Sequence, residues 1–364
     1  MKEALVSTGP IVKIVDSPIP SPGPGQVLIK VVTSRQLSTW LGTKLASSSH
    51  ILTFSGKRRK TSEIYGLESF NSGEDIAGLV HAVGPGVTEF KPGDRVAAMH
   101  MVGGSAGCYA EYALGQADLT YHLPEGTSFD GAATIPLAAM TAAVLVFRGL
   151  GIPDAWSANR PIEDTPFVVW VGASAVGAFS IQLARRSGIH PIIAVAVGYR
   201  KGGDVVVQAI RATLKGTAPK YGLDAVRVDR SNLSLATVLD PITHKASANE
   251  RVKMAVVLPL PNEASEPGPA GLEAGLVESF KLPRGVEPIM LGVNLAHSPD
   301  DGFDRDFEFV YSRYMARDLQ DGWFKPHPYE VQPGGLAGVQ EGLRKLKMGH
   351  ASAIKYVYRI VEIS

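Results

Sequence analysis

The sequence predicts an α/β protein of two domains, a β-rich first domain followed by an open, doubly wound parallel sheet. Three observations carry this reading. At roughly 150 residues per domain, a chain of 364 residues is long enough for two separate cores. The first third alternates apolar and polar residues in short runs bounded by Gly and Pro. From Phe167 the pattern changes to strand, tight turn, helix and strand, the βαβ unit of a parallel sheet.

In chain order, strands are predicted over Ile11–Val15 and Val27–Val32, separated by the turn-rich SPIPSPGPG. Ile76–Val83, a Pro-Gly turn and Arg95–Met99 add further strands. Ser47–Lys60 is polar and ends in Lys57-Arg58-Arg59-Lys60, which predicts a solvated surface loop. A targeting or phosphate-binding role is the alternative for that run. After Ala132 the segment AATIPLAAMTAAVLVF is Ala-rich with apolar residues at helical spacing, and predicts a buried helix. Trp156–Thr165 is a polar connection. FVVWV, GASAVG, AFSIQLARRSG and PIIAVAV then give strand, turn, helix and strand. Leu223–Val228, Val252–Leu258 and Pro288–Val293 follow as strands, Asp204–Leu214 and Phe307–Gln320 as helices, and Asn262–Gly275 as a loop. There is no internal repeat.

Composition excludes several classes of function. Apolar residues make up 45% and charged ones 20%, ordinary for a globular protein. Lys and Arg total 36 against 35 Asp and Glu, a net charge of +1, so neither nucleic acid nor an anionic membrane is an expected partner. Cys108 is the single cysteine, which rules out an intramolecular disulfide and any Cys-cluster metal site. MKEALVSTGP carries Glu3 and no apolar signal core, so a cytoplasmic location is expected. Gly131–Phe147 and Thr165–Ala184 approach the length of a membrane span, but Pro, Gly, Ser and Thr interrupt both.

The turn Gly172-Ala173-Ser174-Ala175-Val176-Gly177 is the first motif with chemical content. Small residues between a buried strand and a helix let a pyrophosphate approach the N–H groups at the helix start. Ser174 stands where the fingerprint G-x-G-x-x-G has its middle glycine, so a tight strand–helix turn is the plain alternative. Its place after an apolar strand and before an amphipathic helix favours dinucleotide binding and a Rossmann-type domain.

The chain resembles the medium-chain dehydrogenase/reductase superfamily along its whole length. SPGPGQVLIKV resembles the opening strand, and GEDIAGLVHAVGPGVTEFKPGDRVAAM (Gly73–Met99) the GroES-like signature. AEYAL, LPEGTSFDGAATIPLAAMTA and VWVGASAVGAFSIQLARRSG follow in family order. DGWFKPHPYEVQPGGLAGVQEGLRKLKMGHASAIKYVYRI resembles the closing segment of a fungal subgroup of quinone-oxidoreductase-like and trans-acting enoyl reductases. The resemblance implies a GroES-like substrate domain over 1–148, a Rossmann cofactor domain over 149–303, and a return to the substrate domain over 304–364. It further implies NADPH as cofactor and a small-molecule substrate, including a carrier-bound polyketide intermediate, handled by a monomer or homodimer.

Residue by residue, the resemblance assigns Thr141 to the nicotinamide end of the cofactor. Gly172, Ala173, Ser174, Ala175, Val176 and Gly177 match the pyrophosphate loop. Tyr199, Arg200 and Lys201 match the adenosine end, with Arg200 and Lys201 suited to a 2′-phosphate. Leu258 ends the strand that approaches the nicotinamide amide, and Ser352 and Lys355 match the closing loop. Candidates for handling the proton are Gln36, Tyr65, His100, Tyr109 and Tyr112; water is the alternative donor.

Departures from the family pattern matter as much. Zinc-dependent members use Gly-His-Glu and several cysteines, whereas this chain has Gly73-Glu74-Asp75 and one cysteine, so no zinc is expected. The family's Asn-Pro-x-Asp is replaced by Gln36-Leu37-Ser38-Thr39-Trp40. The second strand of the nucleotide domain ends at Val197 and meets Gly198-Tyr199-Arg200 at once, so roughly twenty residues of helix and strand are missing. No acid closes that strand to hold a ribose hydroxyl, which favours NADPH over NADH. Two readings follow. One is an NADPH-dependent, zinc-independent reductase of an activated alkene or quinone-like substrate in fungal polyketide-type metabolism. The other is the same fold with weakened cofactor binding, turned to isomerisation or cyclisation.

Overall fold

The structure is a computed structural model, and it describes residues 1–7, 11–35, 50–52, 58–60, 69–100, 106–158, 164–195, 203–226, 230–241, 251–257, 282–291, 293 and 302–361. The chain divides into two compact units, 1–140 with 294–364, and 141–293. The sequence placed these boundaries at 148/149 and 303/304.

Unit 1 begins with β1 (Lys2–Ser7), β2 (Ile11–Asp16) and β3 (Gln26–Arg35). Next come β4 (His50–Leu52), β5 (Arg58–Lys60) and β6 (Ser69–Phe70), then β7 (Asp75–Val83), β8 (Arg95–Met99), β9 (Tyr112–Gln116) and β10 (Thr120–His122). Two helices follow, α1 (Phe129–Ala132) and α2 (Pro136–Ala143), and the last turn of α2, from Thr141, belongs to unit 2. The predicted surface loop over 47–60 is corrected in part, because β4 and β5 pair as antiparallel strands. The predicted single helix over 132–147 is also corrected. Pro136 cannot donate a backbone hydrogen bond and disfavours helical geometry in the residue before it. The chain therefore stops at Ala132, restarts at Pro136, and widens into a π-turn over Val144–Gly149.

Unit 2 contains β11 (Phe167–Trp170), α3 (Ala175–Arg186), β12 (Ile192–Val195) and α4 (Gly203–Leu214). It continues with β13 (Tyr221–Asp224), α5 (Ser231–Leu239), β14 (Val252–Val256) and β15 (Val286–Met290). The chain then closes unit 1 with α6 (Gly302–Gln320), β16 (Tyr329–Gln332), α7 (Val339–Lys347) and β17 (Lys355–Arg359).

The main sheet of unit 1 runs β10-β8-β7-β3-β17-β16, and β9 also pairs with β3. Alternate residues of these strands, among them Val27, Ile29, Val31, Ile76 and Val96, fill its core. The β3–β7 ladder slips twice. At Gly78 a Cβ would stand 2.1 Å from the Lys30 carbonyl oxygen, so only glycine fits this close approach. β17 lies antiparallel to β3, with Val357 opposite Arg35, which brings the end of the chain into the first sheet.

The unit 2 sheet is wholly parallel, in the order β12-β11-β13-β14-β15. Its core contains Val168, Trp170, Ile210, Leu235 and Met254. α3 joins β11 to β12 on one side, and the chain then crosses to β13 on the other side of β11. β12 is the edge, and among the described residues no strand lies outside it. One strand therefore flanks β11 on that side, where the six-stranded dinucleotide order has two. At the opposite edge, Pro288 sits in the middle of β15, a position open to a residue without an N–H. β13 starts and ends earlier than predicted. The Asp224 carboxylate accepts from Val226 N at 3.3 Å, turning the chain out of the strand.

Candidate active site

The nucleotide-binding candidate is built where the sheet changes direction. β11 pairs with both β12 and β13, so the carboxyl ends of β11 and β13 flank the switch point. Asp224 is buried there opposite Trp170 in the ladder, and its Oδ2 accepts from Ser231 Oγ at 2.5 Å. The chain leaves β11 through Val171, which has φ +58°, a left-handed conformation costly for a β-branched residue. Gly172 N donates to Val195 O at 2.9 Å, and a Cβ on Gly172 would come within 2.9 Å of the Ala194 Cβ.

Ser174 is the N-cap of α3, with extended φ −70° and ψ 160°. Its Oγ accepts from Gly177 N at 3.1 Å. Ala175 and Val176 occupy the first positions of the helix, where a backbone N–H has no partner within the helix itself. The loop therefore presents small side chains and two helix-start donors, the chemistry that suits a pyrophosphate. These residues fit the dinucleotide assigned from sequence.

The structure gathers Gly172, Ala173, Ser174, Ala175, Val176 and Gly177 into one turn of unit 2. Thr141 is the first residue of unit 2 and is buried within α2. Gln36, Tyr65, Tyr199, Arg200, Lys201 and Leu258 lie outside the described residues.

Three other candidates are buried within unit 1. Lys355, assigned to the cofactor, is only 3% exposed, and its Nζ donates to the Thr134 carbonyl inside unit 1. Tyr109, a candidate proton donor, is fully buried and packs edge-on against Tyr358 with ring centres 5.5 Å apart. Burial pushes its phenol well above the ordinary tyrosine range, helped by Tyr358 and Glu74. His100 is buried too, its Nδ1 2.9 Å from the Leu114 carbonyl oxygen. Tyr112 is half-buried against the His81 ring, and Ser352 is exposed.

Unit 1 also holds a buried charged network that the sequence did not suggest. Arg35 Nη1 donates to Asp75 Oδ2 at 2.6 Å with both side chains inaccessible. Leu137 N donates to Asp75 Oδ1 at 2.8 Å. Nearby, Asp130 accepts from Thr33 Oγ1 at 2.8 Å and from Arg359 Nη2 at 2.6 Å. Burial and the Arg35 charge hold the Lys355 ammonium well below the ordinary lysine range, against the pull of Asp75 and Glu74. Arg35 ends β3, a strand whose other residues are nearly all buried. At Gly73-Glu74-Asp75, Asp75 is thus committed to protein partners. Among the described residues no group of three His, Cys, Asp or Glu side chains is placed to hold a metal ion.

The Alcohol dehydrogenase GroES-like domain model matches residues 23–125. The trans-enoyl reductase fsr4 of Gibberella fujikuroi is 36% identical over 361 residues, covering 93% of this chain and 92% of that protein. The chain belongs to the trans-enoyl reductase family of the medium-chain dehydrogenase/reductase superfamily. The trans-enoyl reductase grgB of a Penicillium species is 30% identical, covering 79% of this chain and 83% of its own. Solved structures share the fold of this trans-enoyl reductase relative. The CurK enoyl reductase has a TM-score of 0.69 at 15% identity, covering 98% of both chains. Mycobacterial Rv1454c, solved in complex with NADPH, has a TM-score of 0.62 at 19% identity, covering 98% of this chain and 99% of that one. No described helix is long and apolar enough to cross a membrane.

Proposed function

We propose that this chain is an NADPH-dependent, zinc-independent reductase of an activated alkene. Its substrate in this reading is an α,β-unsaturated thioester of fungal polyketide-type metabolism, carrier-bound or free. The observation that carries the reading is the turn from β11 into α3, with small residues and a capped helix start at the switch point of the sheet. The full-length similarity to fsr4 supports the substrate class, and the NADPH bound by Rv1454c supports the cofactor. A cytoplasmic enzyme acting as monomer or homodimer fits the same reading.

When bound, NADPH supplies a hydride for the β-carbon of the alkene, and this is the hard chemistry of the reaction. The chain holds and orients the nucleotide. Ala175 and Val176 offer backbone N–H groups to the pyrophosphate, and the helix dipole of α3 adds favourable charge. Thr141 is assigned to the nicotinamide end, Ser352 to the closing loop and Leu258 to the amide contact. Arg200 and Lys201 are assigned to the 2′-phosphate. Gln36 and Tyr65 remain the side-chain candidates for the proton that must reach the α-carbon, with water as the other source.

A second reading has one observation in its favour. Among the described residues β12 is an edge strand, with one strand on the adenosine side where the six-stranded dinucleotide order has two. A chain with weakened NADPH affinity would use its site for isomerisation or cyclisation.

Ser174→Asp tests the choice. Aspartate is a good N-cap, so the fold should keep its melting temperature. Its carboxylate would face the pyrophosphate and oppose it. In the reductase reading, NADPH at a hundred times its dissociation constant stabilises the wild type by about 2.7 kcal/mol and the variant not at all. Turnover of crotonyl-N-acetylcysteamine should vanish with it. Full thioester reduction by Ser174→Asp would overturn the pyrophosphate role of this turn, whereas no NADPH-induced shift and no thioester reduction in the wild type would favour the non-redox reading.

A further inference from the structure

The chain breaks between α1 and α2 inside the core of unit 1. Such a break exposes backbone groups that a continuous helix would pair, here the carbonyl of Thr134 and the N–H of Leu137. Charged side chains meet both. Lys355, from β17, donates to the Thr134 oxygen. Asp75, from β7, accepts from Leu137 N at 2.8 Å. Arg35, from β3, closes the arrangement by pairing with the other Asp75 oxygen at 2.6 Å. The Thr134 hydroxyl adds a fourth tie, accepting from His327 N at 3.0 Å.

A break of this kind needs one neutral donor and one neutral acceptor. The start of α1 shows the economical solution, where Ser128 Oγ accepts from Gly131 N at 3.1 Å. Removing Arg35, Asp75 and Lys355 from water is costly, and apolar packing would avoid that cost. What charge adds is geometry, because the guanidinium is planar and the carboxylate has two fixed directions of approach. The first turn of α2 is thereby tied to three strands of the sheet, and Thr141 rides on the same helix.

We propose that Arg35, Asp75 and Lys355 are positioning residues, which set the direction of α2 and through it the placing of Thr141 for hydride transfer. The inference rests on the reductase reading above. None of the three touches substrate or cofactor in this account. Their effect is on the helix, and small misplacements of a positioning group lower turnover more than binding.

The experiment compares wild type, Lys355→Met, Lys355→Arg and Asp75→Asn, all assayed well below the lowest melting temperature. NADPH and crotonyl-N-acetylcysteamine are the probes. Lys355→Met and Asp75→Asn should lower kcat on the order of tenfold or more, with KM and the NADPH dissociation constant nearly unchanged. Lys355→Arg, which keeps a cationic donor, should restore most of the turnover. If Lys355→Met does not fold, Asp75→Asn carries the test, because its amide oxygen still accepts from Leu137 N while the charge is gone. Folded variants with wild-type kcat overturn the inference and leave the reductase reading intact. A wild type that neither binds NADPH nor reduces the thioester overturns both.

Discussion

A Cβ placed on Gly177 would lie 2.6 Å from the carbonyl oxygen of Val171 and 2.9 Å from the Cα of Gly172. The start of α3 thus presses directly on the strand that precedes it, and the last glycine of the motif is required by that packing whatever the ligand. Gly172 is held in the same way against β12. Ser174 is the one position of the fingerprint whose size the chain itself does not dictate.

Gly177→Ala should therefore destabilise unit 2 by about 2 kcal/mol or more, as overpacked sites do. Alanine is ordinarily the better helix former by about 1 kcal/mol, so the sign is diagnostic. Urea melts that show a stabilised variant would remove the packing argument.

Ser174→Ala separates the cap from the ligand. Losing the Oγ that accepts from Gly177 N should cost about 1 kcal/mol. NADPH affinity should stay within a few-fold, since the side chain shrinks. A titration of nucleotide fluorescence in folded variant protein checks both halves.

Arg35→Met leaves Asp75 as a buried charge without its partner. Such a loss costs about 3–5 kcal/mol, whereas the double variant Arg35→Met/Asp75→Leu should recover a large part of it. Chemical denaturation of the two proteins gives the comparison directly. Equal losses in single and double variants would mean that the pair is not the source of the effect.

The Tyr121 hydroxyl is fully buried and has no hydrogen-bond partner among the described residues. Tyr121→Phe should be neutral or stabilising by about 1 kcal/mol, because it removes an unsatisfied group. Burial, with the Asp75 charge, raises the phenol well above its ordinary 10.0. A raised folded-state pKa gives stability that is complete below the unfolded value and lost as pH rises above it. The wild type should lose stability more steeply than Tyr121→Phe above about pH 10. Parallel pH profiles would contradict this.

EDTA and phenanthroline should leave turnover of the enoyl thioester unchanged. Asp75 is held by Arg35 and Leu137, and Cys108 is buried with its thiol pushed up by burial and by Asp75 and Glu74. Inhibition together with stoichiometric zinc in the purified protein would reverse the assignment.

The β11–α3–β12 unit was legible because period and turn chemistry agreed over thirty residues. The break between Ala132 and Pro136 was not legible, because the apolar spacing suggested one continuous helix and outweighed the proline within it. Nor was α5. Ser231, Asn232, Leu235, Ala236, Val238 and Leu239 are buried on nearly every side, so no apolar stripe marks the helix. α7 carries the opposite pattern, with Val339, Gly342, Leu343 and Leu346 buried at helical spacing. The Arg35–Asp75 pair joins residues 40 positions apart, and no local pattern announces such a partnership. The bond from Lys355 to the Thr134 carbonyl was not legible either, because a position in a family motif does not say where an ammonium group points.

Pro288 also bears on how copies of this chain can meet. Gly285 O accepts from Val252 N, so along β15 the backbone groups of 285, 287 and 289 face the sheet and those of 286, 288 and 290 face outward. Val286 N already donates to Pro283 O, and Pro288 has no N–H to offer. A strand arriving from a second molecule would find one donor, at Met290, where an open edge would supply three. Among the described residues, this edge of the parallel sheet is short of donors, which makes it a poor template for strand addition.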